Sequence, residues 1–270
     1  IFAADALSSF DSQVGDNIYI QDAQVEIGLA ATDYIESGAT TGKAGLLEDE
    51  PRFDYSGGAT CPSLLLEPSR TQLVQYSEYI DTSWNYGNVT FDNNQSTSPE
   101  GLINAFALTE TTIVNNYHFA GHRITNSAAG DYTMSGFLKK GTRRYAGVRG
   151  VVNNFSNRYS VIVDLENGTF ADDYTVNAGV TWTYKIEDYG NDWYRLSITG
   201  NHTSGDVAVT FFLSDVAEPT WSSSGLPIYT GSTSEYGYFY GIQVEEGSYP
   251  TSYIPNHSGG TITRGADACG

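Results

Sequence analysis

The chain has 270 residues, with 13 Lys and Arg against 32 Asp and Glu, a formal charge of −19 and 29 glycines. Twenty tyrosines and a charged fraction of only 17% exclude a coiled coil or a charged disordered tail. No apolar run approaches the roughly 18 residues of a transmembrane helix, and so negative a field argues against general nucleic-acid affinity.

The first residue is Ile1, with no Met and no basic n-region, which reads as a processed chain or an excised module. Residues 80–100 are polar and turn-rich and read as an irregular excursion. Beyond them, short alternating runs recur between Gly, Asn, Asp and Ser turns, at 132–140, 144–152, 159–165, 182–187, 193–199, 207–213 and 235–244. Strands at this spacing, rich in Tyr, Thr, Val and Phe, predict an all-β antiparallel sandwich or jelly roll. Cys61 and Cys269 are the two cysteines, either one disulfide in a secreted chain or two unpaired thiols in a cytosolic one. The extracellular reading is the expectation. With no CxxC and no Cys/His cluster, no metal site is expected.

One echo joins the ends of the chain. Gln24-Val25-Glu26-Ile27-Gly28, followed by Thr32-Asp33-Tyr34-Ile35, returns as Gln243-Val244-Glu245-Glu246-Gly247, followed by Thr251-Ser252-Tyr253-Ile254. Either one sandwich has two similar strand exits, or residues 1–40 resemble the last strand of a preceding like module.

The charge is unevenly spread. Arg123, Lys139, Lys140, Arg143, Arg144, Arg149 and Arg158 fall in one window whose only acid is Asp131, giving +6 there and −25 elsewhere. Strand alternation sorts these side chains by face. Met134 and Leu138 mark a core face, leaving Thr133, Ser135, Phe137 and Lys139 opposite. Ala146 and Val148 read as buried, with Arg143, Tyr145 and Arg149 outward. Tyr159, Val161 and Val163 read as buried, with Arg158 and Ser160 outward, and Trp193 and Arg195 oppose Tyr194, Leu196 and Ile198. If these strands are neighbours, their outward residues form one cationic, aromatic-lined surface. Arginine forks suit carboxylate and sulfate, and Tyr and Trp supply flat faces for sugar rings. An anionic polysaccharide meets both. His118 and His122 share a face if 115–124 is a strand; His118 reads as structural, His122 as the stronger site candidate.

Several separated motifs together resemble a known family. They are the run 51–58 (PRFDYSGG), 61–71 (CPSLLLEPSRT), Tyr76-Ser77-Glu78 before Trp84, Asp192-Trp193-Tyr194-Arg195, and 241–248 (GIQVEEGS) with 251–255 (TSYIP). They resemble lectin-like jelly-roll modules of phage tail proteins and of secreted polysaccharide-degrading proteins of marine bacteria, including jelly-roll ulvan lyases. The resemblance spans roughly residues 50–265. It implies a concanavalin A-like sandwich, one domain over 1–270 with 1–45 as an N-terminal strand and linker, and a structural role for Glu245 and Glu246. It also implies either catalysis or glycan binding, because one scaffold carries both.

The chemistry that fits an acidic polysaccharide is β-elimination. A cation neutralises the uronate carboxylate, a base removes the C5 proton, and an acid protonates the departing O4. We expect Lys139, His122 and Tyr145 as proton-transfer residues. Arg123, Arg143, Arg149, Arg158, Arg195, Gln243, His118 and Tyr240 are expected in substrate binding, with Tyr238 and Tyr240 as reserves for the acid. Hydrolysis needs two carboxyl groups, and near the island only Asp131, Asp164 and Glu166 are present. The leading expectation is a secreted lyase on an acidic, sulfated, ulvan-like polymer. The alternative is a non-catalytic carbohydrate-binding module or tail adhesin. The expected partner is the polymer, with neither nucleic acid nor membrane, and the chain is expected to be a monomer or one module of a larger protein. No cofactor is required; a structural calcium suits an acidic extracellular sandwich, but no loop has a defined ligand spacing.

Overall fold

The computed structural model describes residues 52–54, 63–80 and 83–267. Cys61, Cys269 and the first copy of the 24–35 echo lie outside the described residues. No helix occurs among those described; two six-stranded antiparallel sheets pack face to face as a β-sandwich of jelly-roll type. Short ribbons flank them: β1 (Arg52–Asp54) pairs with β2 (Ser63–Leu65), and β3 (Arg70–Gln72) with β16 (Ile262–Arg264).

The first sheet comprises β4 (Asn85–Gly87), β7 (Phe119–Ser127), β9 (Tyr145–Val152), β10 (Asn157–Asp164), β11 (Thr169–Val176) and β14 (Gly205–Ser214), in the order β11-β10-β9-β14-β7-β4. The second comprises β5 (Val89–Thr97), β6 (Ile103–Glu110), β8 (Gly130–Lys140), β12 (Trp182–Asp188), β13 (Trp193–His202) and β15 (Tyr236–Glu246), in the order β12-β13-β8-β15-β6-β5. We call them the Arg149 sheet and the Trp193 sheet. All seven expected runs are strands. The stretch 80–100 is not the irregular excursion expected, for it contains β4 and β5. Their polar side chains line sheet edges, where one face needs no apolar residue.

The core lies between the sheets. Met134, Leu138, Leu196, Ile198 and Phe239 meet Ala146, Val148, Val161, Val209 and Phe211, all fully buried. Large faces small across the gap: a Cβ on Gly136 would collide with Cζ of Phe211, so that ring occupies the space glycine leaves. Phe211 in turn packs against Phe239 with ring centroids 4.9 Å apart.

Both outer faces are also covered. Residues 215–235 lie over the Arg149 sheet, where Leu226 joins Ile162 and Phe212 in a second apolar cluster. Residues 73–80 and 251–257 lie over the Trp193 sheet, beside a cluster of Ala105, Phe137, Trp193 and Tyr240. Much of what alternation turns away from the core is therefore still shielded from water.

Candidate functional site

The link from β8 to β9, residues 141–144, carries the chain from one sheet to the other. That crossing divides the basic island. Lys139 faces outward from the Trp193 sheet, whereas Tyr145, Arg149 and Arg158 face outward from the Arg149 sheet, on the opposite side of the sandwich. The single surface expected from the sequence is two surfaces.

On the Trp193 sheet the structure brings together Lys139, Arg195, Gln243 and Tyr240. Lys139 donates to the Asn191 carbonyl at 2.8 Å and lies over the Trp193 ring. Arg195 is 3% exposed, donates to Ser135 Oγ at 3.1 Å and lies over Phe137. Glu187 stands directly across the ladder from it. Gln243 is fully buried between Glu245 and the Ile254 amide, a structural position. Tyr240 is fully buried, and burial raises its pKa. Nearby, Glu78 accepts from Asn104 at 3.1 Å and lies 3.6 Å from His257; burial, with the Glu100 charge, pushes its pKa up to about 7.

Other expected site residues are engaged elsewhere. His122 points into the core, its ring 6.0 Å from that of Trp84. His118 lies just before β7, so the condition for its sharing a strand face with His122 is not met. It is fully buried, with Nδ1 2.7 Å from the Asn88 carbonyl and Tyr229 against its ring. Arg143 precedes β9 and does not join Tyr145 and Arg149 on their face. It forms a bidentate pair with buried Glu110 at 2.6 and 2.8 Å, and Glu110 also accepts from Tyr229. Arg123 pairs with Asp206. Arg144 pairs with Asp164 and Glu166, and Lys140 with Glu166. Tyr145 shares the outer face with Arg149, four residues away at the start of β9. The three proton-transfer candidates thus point in three directions, because alternation fixes relative faces along one strand but not which sheet the strand joins.

The outer face of the Arg149 sheet is different. Gly121, Thr210, Arg149, Ser160 and Tyr174 form one continuous row across five strands, with neighbours about 4.8 Å apart. Arg149 is 7% exposed. It donates from Nη1 to the Ser224 carbonyl at 2.9 Å and from Nη2 to Thr210 Oγ1 at 3.0 Å, while Nε has no hydrogen-bond partner among the described residues. No carboxylate among them pairs with it. Its charged neighbour is Arg158, on the adjacent strand and same face, and burial together with that like charge pushes its pKa down to about 9. The guanidinium therefore stays charged at neutral pH. The Arg158 side chain is half-buried and makes no hydrogen bond or ion pair with a described residue.

Beside these arginines is an aromatic platform. Tyr174 stacks on Trp221 with centroids 5.3 Å apart and planes 14° from parallel, and Tyr174 is 36% exposed. The indole NH donates to Asp172 at 2.9 Å, fixing the ring. Trp221 comes from the covering segment and Tyr174 from β11, a strand the sequence reading missed. Its signal was present in the alternation of Asp172, Tyr174 and Val176, masked by acids on both faces. No known protein-family model matches this chain, and comparison with curated proteins gave no match. No group of three or more His, Cys, Asp or Glu among the described residues is arranged to hold a metal ion.

Proposed function

We propose that this chain is a lectin-like β-sandwich that binds an acidic polysaccharide along the outer face of the Arg149 sheet. One observation carries the reading. Arg149 and Arg158 are diagonal neighbours on adjacent strands, neither with a described carboxylate partner, in a chain where Arg123, Arg143 and Arg144 each have one. A buried cation without a counter-charge is costly, and a binding anion relieves that cost. Arg158 offers its fork to a sulfate or carboxylate at the surface, and Arg149 behind it adds a positive field. Tyr174 and Trp221 offer a flat face to the adjoining sugar ring.

Binding fits this arrangement better than elimination, which needs a base and an acid over one sugar carbon. His122, Lys139 and Tyr145 do not share a face. The test is affinity electrophoresis through gels containing ulvan or alginate, paired with incubation of the same polymers and ultraviolet detection of unsaturated uronate ends. Retardation without new absorbance is expected. Absorbance rising with time would replace binding with lyase action, and absence of retardation in every acidic polymer would overturn the proposal.

A further inference from the structure

The cover of the Trp193 sheet has two parts. Residues 73–80 lie against β15, where Ile242 donates its backbone NH to the Ser77 carbonyl at 3.2 Å. Residues 251–257 lie alongside them as a strap. Glu245 fastens one end, accepting from the Thr251 amide and hydroxyl at 2.8 and 2.7 Å, and the β3–β16 ribbon holds the chain beyond the other. Between those fastenings, the Ser77 amide donates to the Asn256 carbonyl at 2.8 Å, and the Asn256 amide to Ser77 Oγ at 3.0 Å. Tyr253 of the strap packs edge-on against the rings of Phe137 and Tyr240.

Glu78 joins both parts of the cover to the sheet, and it is buried. Its Oε2 accepts from Asn104 of β6 at 3.1 Å. Its Oε1 faces the strap, 3.4 Å from the Tyr253 hydroxyl and 3.6 Å from His257 Nε2. Tyr240 of β15 hydrogen-bonds to the same carboxyl, and Glu100, in the turn between β5 and β6, adds a like charge. Burial holds the His257 pKa below its usual value, so that ring is neutral where Glu78 ionises and supplies no countercharge. No lysine or arginine among the described residues pairs with Glu78. A protonated Glu78 suits this setting, because the Tyr253 oxygen and a neutral His257 nitrogen can both accept its proton. An ionised Glu78 does not. Its contacts to the strap are too long to stabilise a full charge, and Glu100 opposes it.

We propose that Glu78 is a proton-operated latch: with its proton the strap stays closed, and without it residues 253–257 lift and uncover the Phe137 and Tyr240 rings. Lifting gives water access to the carboxylate, the hydration that burial denies it. The sign follows from linkage. The closed form holds the proton up to about pH 7, whereas a carboxyl freed into water loses it near 4.5. Opening therefore becomes easier as pH rises between those values and is independent of pH outside them. The strap lies on the opposite side of the sandwich from Arg149 and Arg158, so the latch stands or falls independently of polymer binding.

The experiment is amide hydrogen exchange on the intact chain from pH 4 to 8, corrected for the intrinsic pH dependence of exchange. The Ser77 and Asn256 amides report the strap, and amides of the central strands β8 and β13 report the sheet beneath. Strap opening should rise about a hundredfold across the range and level off above pH 7, while the sheet amides stay protected. Glu78→Gln should abolish the rise, since an amide cannot ionise there. His257→Gln should keep it, because the carboxyl is the sensor. The proposal is overturned if strap opening is indifferent to pH, if Glu78→Gln retains the rise, if His257→Gln loses it, or if the sheet amides open in parallel with the strap.

Discussion

The two outer faces of the sandwich are built alike, from alternate residues of central strands under an irregular cover, and each buries an arginine. On the Trp193 sheet, Arg195 lies over Phe137 with Glu187 opposite it and the carboxylates of Glu245 and Glu78 elsewhere on that side. On the Arg149 sheet the neighbouring charge is a second arginine. The two arginines are buried alike but differ in their nearest charge, an acid across the ladder for Arg195 and a second arginine on the adjacent strand for Arg149. Glu187 is itself bonded to Lys185, so Arg195 has an acid beside it without an ion pair, whereas Arg149 has only a like charge beside it, which a bound anion would offset.

The largest expected effect tests an arginine that is fully matched. Arg143→Met would leave the buried Glu110 carboxylate without its guanidinium and should cost about 3–5 kcal/mol in urea melts. Polymer binding measured below the transition should be unchanged. If stability hardly moves, the distinction between matched and unmatched arginines fails.

Glu78 gives a pH-dependent contrast on the Trp193 side. Its native pKa lies above the ordinary 4.5, at about 7, so ionisation is disfavoured in the fold. The stability it contributes is full below about pH 4.5 and is lost as pH rises through 7. Glu78→Gln should therefore stabilise the protein by about 2–3 kcal/mol at pH 8 and leave it little changed near pH 4. Thermal melts across that range check the sign, and equal effects at both ends would refute it.

The arginine face predicts the reverse of Arg143→Met. Arg158→Ala should weaken acidic-polymer binding about tenfold or more. Arg149→Met should weaken it about fivefold through the lost field, while leaving the melting temperature unchanged or raised because an uncompensated charge is gone. A substantial loss of stability in Arg149→Met would mean that the side chain serves mainly to pin residues 222–226. Lys139→Met, on the opposite side, is the smallest effect, with affinity within about twofold of the parent since a screened remote charge contributes little.

Much of the fold was legible in the sequence. Alternation identified Met134, Leu138, Val148 and Val161 as core and Arg149 and Arg158 as outward. What it lacked was long-range pairing. Residues 132–140 and 145–152 are neighbours in the chain, yet they join different sheets, because β8 pairs with β13 and β15 while β9 pairs with β10 and β14. A contiguous basic run therefore became two separated sets. Burial of the outer faces was equally hidden, since the covers at 73–80, 215–235 and 251–257 show no periodicity. Gln243 and Tyr240 looked available for this reason and are not. Trp221 was invisible as a site residue because its partner Tyr174 belongs to β11, whose acids obscured the strand.

The most direct test compares Arg158→Ala, Arg149→Met and Lys139→Met with the parent chain in one titration against an acidic polysaccharide at fixed ionic strength. The account predicts clear weakening in the two variants of the Arg149 sheet and parent-like affinity in Lys139→Met. Loss of binding in Lys139→Met with retention in both arginine variants would contradict it.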